Sequence, residues 1–203
     1  PGDASELLAD FGNIPVDRAK MRCLHSGSWL NDEVINIYMK LLGARNDREG
    51  STLPDCHFHN TMFYAKLAES DKGYCYANVR RWTKRVDLFS KEMVIVPTHV
   101  DGIHWTLSVI NFKLRRFECA AHPAPSATAG WRPAPITILL PRFDICRYFD
   151  SLRGGPRSVL KHLRKYIDDE SHDKRKESFD LTGWTDAVYK EGTPQQHNGS
   201  DCG

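Results

Sequence analysis

Apolar residues first gather at helical spacing in the stretch SWLNDEVINIYMKLLG, residues 28–43. Val34 or Ile35, Tyr38, Met39, Leu41 and Leu42 recur there at intervals that predict one buried helical face. Asn31 or Asp32 supplies its N-cap, acidic side chains occupy its first turn, and Gly43 marks its end. Two more amphipathic stretches follow, TMFYAKLAE and YANVRRWTKRV. The period then changes. EMVIVP is a short continuous apolar run, and HWTLSVINF mixes alternation with β-branched residues, so both read as strands of a largely buried sheet. Residues 120–135, AAHPAPSATAGWRPAP, break the pattern, because their four prolines cannot join a central strand or a regular helix. The sheet resumes at ICRYFD. Gly154-Gly155-Pro156 opens a further helix with Val159 or Leu160, Leu163 and Ile167 on one face. The charged run 168–177 reads as a solvated helix end and loop. Helix, strands and helix in that order predict a single α+β domain.

Composition narrows the class without fixing a function. A chain of 203 residues holds one sizeable domain with a true core. Its net charge of +2, from 28 basic and 26 acidic residues, gives no bulk attraction to nucleic acid or membrane. The longest apolar runs are too short to span a bilayer, and no signal peptide opens the sequence. Six cysteines are scattered without a C-x-x-C pair, as expected of a reduced intracellular protein with mostly free thiols.

One of those cysteines sits in a distinctive setting. The segment QQHNGSDCG loosens the backbone around Cys202 with Gly199 and Gly203, and Asn198, Ser200 and Asp201 favour turns and helix starts. A thiol there reads as well exposed, at the mouth of a helix, where a thiolate is stabilised. Thiol catalysis also needs an imidazole, a group to orient it and a donor for the oxyanion. Among nine histidines, His104 stands out because it begins a strand directly after THVDGI. Taken alone it reads more readily as a histidine satisfied by local hydrogen bonds. Asp150 ends the strand ICRYFD, where it either accepts the imidazole N–H or caps the turn into SLRGG. Gln195 and Gln196 lie close enough in sequence to offer a side-chain amide. Other constellations carry less. Cys56, His57 and His59 lack a second ligand pair for zinc, and RRWTKR reads as a basic helix face around one buried Trp82.

The motifs WLNDEVIN, VPTHVDGIHWTLSVINF, YFDSL and PQQHNGSDCG, in that order, resemble the ubiquitin-like-specific proteases that process and remove SUMO, the sentrin-specific protease family. The resemblance runs from about Ser28 to Gly203. It implies a papain-like cysteine protease fold of the ubiquitin-like protease type, a central mixed sheet flanked by helices. It makes His104 the general base, Asp150 its orienting partner, Cys202 the nucleophile and Gln196 the oxyanion donor. It further implies that Trp29 and Trp105 cover a narrow tunnel for the Gly-Gly tail of the modifier, and that Asp32 contacts the folded body of SUMO, although Asp32 serves equally as a helix-start residue. No cofactor or metal is implied. The expected partners are SUMO and SUMO-conjugated proteins, with no nucleic acid and no membrane, and the expected state is a monomer. The expected setting is intracellular: nuclear, at the nuclear envelope or cytoplasmic.

Two departures from the family pattern stand out. His104 and Asp150 lie far apart because a Pro/Ala-rich insertion, around 115–143, separates them. It reads as a surface loop, a lineage-specific binding element or untranslated sequence carried into the chain, and the intact resumption of ICRYFD favours the loop. The family also continues beyond the nucleophile with a helix, so the 1–203 catalytic domain reads as truncated after Cys202. Rival readings are a protease for another ubiquitin-like modifier such as NEDD8, a non-catalytic SUMO-binding module, and, more remotely, an acetyl transferase.

Overall fold

Two adjacent strands, each eight residues long, form the spine of the molecule. The computed structural model describes residues 2–48, 51–69, 73–100, 102–113, 116–117, 147–149, 157–188 and Ser200. In chain order the elements are β1 (Leu7–Asp10), β2 (Pro15–Asp17), α1 (Arg18–Met21), α2 (Asp32–Asn46), β3 (Cys56–Phe58), α3 (Met62–Leu67), β4 (Ala68–Glu69), β5 (Gly73–Tyr74), β6 (Met93–Val100), β7 (His104–Asn111), β8 (Arg116–Phe117), β9 (Arg147–Phe149), α4 (Arg157–Arg175) and β10 (Thr185–Val188). The main sheet is six-stranded and mixed, in the order β3-β6-β7-β8-β10-β9, and β9 pairs with β7 as well. Strands β6 and β7 are antiparallel, whereas β3 runs parallel to β6 and β10 runs parallel to both β8 and β9. The α+β reading therefore holds.

Period-two alternation decides what each face of the sheet does. Directly opposed residues of an antiparallel pair share a face, so the pairs Val94↔Ile110, Val96↔Ser108, Thr98↔Thr106 and Val100↔His104 lie on one side. That side meets α3 and α4. Phe63, Leu67, Val94, Val96, Ile110, Leu163, Tyr166 and Ile167 belong to one buried cluster there. Helix α4 supplies its share at helical spacing, burying Val159, Leu160, Leu163, Tyr166 and Ile167.

Several helical expectations change in detail. Asn31, not Asp32, caps α2, its Oδ1 accepting the Val34 N–H at 2.9 Å. The helix passes through Gly43 to Asn46. Only Val34 and Ile35 of its predicted face are buried, while Tyr38 and Leu41 are exposed. The stretch 76–86 is no α-helix. Its bonds run mainly three residues back, Val79 to Tyr76, Trp82 to Val79 and Val86 to Thr83, which turns Val79 and Thr83 inward. Trp82, expected buried, is exposed. The edge strand β3 is short, and the side chain of Asn46 takes the Cys56 N–H at 2.9 Å.

The largest correction concerns residues 168–177. Helix α4 continues through them to Arg175, and Glu170 is fully buried. Its carboxylate accepts from the Tyr76 hydroxyl at 2.6 Å and from the Thr83 hydroxyl. The preceding residue, Asp169, accepts from the Tyr74 hydroxyl at 2.6 Å, and about one turn further on Asp173 pairs with Arg80 at 2.9 Å. A run that reads as solvated charge is in fact the seam joining α4 to the 73–90 segment. Replacing Glu170 with Ala leaves two hydroxyls without their acceptor, and we expect a loss of about 2–4 kcal/mol in urea denaturation.

His59, at the end of β3, is also buried. Its ring stacks on Phe63 at 3.6 Å between centroids with an 11° interplanar angle, and lies edge-on to His57 at 4.6 Å. Burial, and secondarily His57, hold its pKa well below the usual 6.5. The folded state therefore keeps the ring neutral while the unfolded chain takes up a proton as pH falls below about 6.5, so acidification favours unfolding. His59→Phe keeps the ring stack and removes this titration. The variant is expected to lose less stability than the parent between pH 7 and pH 5, read as the shift in urea midpoint.

Candidate active site

The β6–β7 hairpin closes through the turn Val100–Ile103, where the Ile103 N–H reaches the Val100 carbonyl at 3.1 Å. Gly102 sits at φ +72°, a left-handed conformation that disfavours any side chain. This turn brings His104 back as the first residue of β7, opposite Val100 and only 7% exposed. The imidazole thus lies at the end of the core-facing side of the sheet, held by the strand on which it sits.

The next residue faces the other way. Trp105 is paired directly with His99 across the hairpin, and the two rings stack at 4.3 Å with an interplanar angle of 24°. The Trp105 indole N–H donates to the Leu30 carbonyl at 3.0 Å. That bond fastens β7 to the segment entering α2, which carries Trp29 just before Leu30 and Asp32 just after the Asn31 cap. Asn31 strengthens the joint by donating its amide to the Lys20 carbonyl at 2.9 Å. Trp29 remains 54% exposed and Ile103 61% exposed, so the corner presents apolar surface to solvent.

Electrostatics ties the same groups together. Burial lowers the pKa of His99, the Asp32 carboxylate raises it, and His104 lowers it further. His99, Asp32 and His104 therefore share one neighbourhood. The structure brings together four of the expected residues, His104, Trp105, Trp29 and Asp32. Asp150, Gln196 and Cys202 lie outside the described residues, and β9 ends at Phe149, one position before Asp150. Sequence reasoning did not single out His99. Its signal was present in the parity of the hairpin, since a four-residue turn at Val100–Ile103 sets His99 opposite Trp105. The Leu30 carbonyl has no sequence signal, because any residue there offers the same atom.

An imidazole fixed at a strand end, beside an aromatic wall and a helix start, suits proton transfer next to a bound backbone. Among the described residues no group of three His, Cys, Asp or Glu side chains is arranged to hold a metal ion.

Known proteins resemble this chain over nearly all of its length. Residues 28–203 match the Ulp1 protease family, C-terminal catalytic domain. The chain is 37% identical over 195 residues to ubiquitin-like-specific protease 1A of Arabidopsis thaliana, an alignment covering 94% of this chain and 33% of that protein. It is 35% identical over 203 residues to sentrin-specific protease 2 of Homo sapiens, covering 100% of this chain and 28% of that one. The chain thus spans about a third or less of the length of these curated relatives. Among solved structures, the C-terminal Ulp1 protease domain in complex with Smt3, the yeast orthologue of SUMO, superposes with a TM-score of 0.64 at 26% identity, covering 97% of this chain and 70% of that chain.

The joint between Trp105 and Leu30 is testable on its own. Trp105→Phe keeps a ring against His99 but removes the indole N–H. We expect a loss of about 1 kcal/mol in urea denaturation, and His99→Ala in that background should cost less than it does in the parent.

Proposed function

The chain belongs to the Ulp1 protease family, and from that premise we propose that it is a SUMO-specific cysteine protease that cleaves after the C-terminal Gly-Gly of SUMO. Precursor processing and release from substrate lysines are the same reaction with different leaving amines. The observation that carries this reading is the corner at the start of β7. There a buried His104 and an anchored Trp105 stand beside the Trp29–Asp32 segment, within the matched catalytic region.

In the proposed reaction, the Cys202 thiolate attacks the carbonyl carbon of the terminal glycine. The tetrahedral oxyanion accepts hydrogen bonds from the Gln196 amide and neighbouring backbone N–H groups. Asp150 accepts the other imidazole N–H of His104, fixing its tautomer. The imidazolium of His104 protonates the departing amine, and the neutral imidazole then activates the water that cleaves the thioester. Trp29 and Trp105 form the tunnel walls. Flat indoles close on a backbone only where no Cβ intervenes, which selects a Gly-Gly tail. Asp32, exposed at the first turn of α2, meets the folded body of SUMO. The same reading implies an intracellular setting, in the nucleus, at its envelope or in the cytoplasm, where free thiols such as Cys23, Cys56 and Cys75 are retained.

The test uses SUMO, NEDD8 and ubiquitin probes bearing a C-terminal electrophile, with adducts mapped by mass spectrometry. A SUMO adduct on Cys202, abolished in Cys202→Ser while SUMO binding persists, is the expected result. Labelling by NEDD8 alone would overturn the modifier assignment, and no labelling would overturn the activity. On a cleavable SUMO fusion, His104→Ala should lower kcat by at least about 100-fold, and Gln196→Ala by roughly 100- to 1000-fold.

A further inference from the structure

Strands β8 and β9 occupy one lane of the sheet. On one side of that lane, four consecutive residues of β10 meet, in order, Arg116, Phe117, Arg147 and Tyr148. The parallel ladder passes from Phe117 to Arg147 without a vacant position. The antiparallel ladder on the other side gives an independent measure. Asn111 of β7 pairs with Arg116, and Ser108, three residues earlier, pairs with Tyr148. Three steps back along β7 demand three steps forward in the lane, and Tyr148 fills that place only if Arg147 directly follows Phe117. Leu107↔Phe149 continues the same register.

A loop normally carries the chain from one strand to another. The 29 residues numbered 118–146 leave a strand and return to the next position of that same strand, so topologically they connect nothing. They hold five prolines, and the five lane residues hold none, which matches what a ladder between two neighbours tolerates. The bounds differ from the sequence expectation of about 115–143, because Arg116–Phe117 is already strand.

We infer that residues 118–146 are an insert within a single β-strand, dispensable to the fold, and that the joined strand Arg116-Phe117-Arg147-Tyr148-Phe149 is the positioning element that delivers Asp150 to His104. The second half rests on the proposed role of Asp150. Beyond Phe149 the lane advances against β7 in the direction of His104, since its partners count down from Asn111 to Leu107. Without the insert, the 46 positions separating His104 from Asp150 become 17, a short strand-to-strand connection. The insert adds closure entropy to the lane without adding a pairing, and its removal also shortens the unfolded chain.

The experiment compares the full chain with three deletions: 118–146, which joins Phe117 to Arg147 in register, and 118–145 and 118–147, each one residue out. A one-residue slip turns every following side chain to the opposite face. The in-register deletion should be soluble, melt at least about 5 °C higher than the full chain, and label with the SUMO probe at least as fast. The two slipped deletions should melt lower and label more than 10-fold more slowly. An in-register variant that is insoluble or melts below the full chain would overturn the inference, as would three deletions of equal stability. If the melting order holds but no version labels, the strand insert stands and the SUMO protease reading falls.

Discussion

The pairing of β6 with β7 is the constraint on which the rest depends. Eight successive pairs, from Met93↔Asn111 to Val100↔His104, fix the register over the whole length of both strands. Because successive side chains alternate, this single register assigns Val94, Val96 and Ile110 to the core and sets His99 against Trp105 on the opposite face. Core and site are consequences of one alignment. The turn at Gly102 sets where that alignment begins, and β3 and the β8–β9 lane add to its two sides.

Helix α4 supplies the second constraint. Its apolar stripe covers the sheet, and its far end is tied to the 73–90 segment through hydroxyl-to-carboxylate bonds at Asp169 and Glu170. Burying an ionisable side chain is costly unless its lone pairs are satisfied. Glu170 meets that condition only when Tyr76 and Thr83 are both in place. The irregular turns over 76–86 follow from this demand, since a continuous helix there would carry Val79 and Thr83 away from their positions beneath α4.

What the sequence disclosed followed from short-range physics. Strands β6 and β7 were legible from their apolar runs, and so were the α2 cap and the apolar stripe of α4. His104 at a strand start, and Trp29 and Asp32 near a helix start, were legible through motif and order. The failures share one cause. YANVRRWTKRV carries helical periodicity but obeys a distant carboxylate, and the 168–177 charges look solvated until the partners of Glu170 are known. His99 was overlooked because its role depends on a cross-strand neighbour. Strand β8 has no signal in the sequence because it is only two residues long, and only its two flanking ladders reveal it.

The stub of β3 has a consequence for the protein in solution. A sheet that ends in a long bare strand offers a row of unpaired amides to any other chain, which is how edge-to-edge aggregation begins. Here the border is three residues long, and its Cys56 amide already belongs to Asn46 of α2. The side chain that takes this amide belongs to the helix whose other end holds Asn31 and Asp32. A substitution that shifts α2 along its axis at one end therefore also disturbs the sheet border at the other.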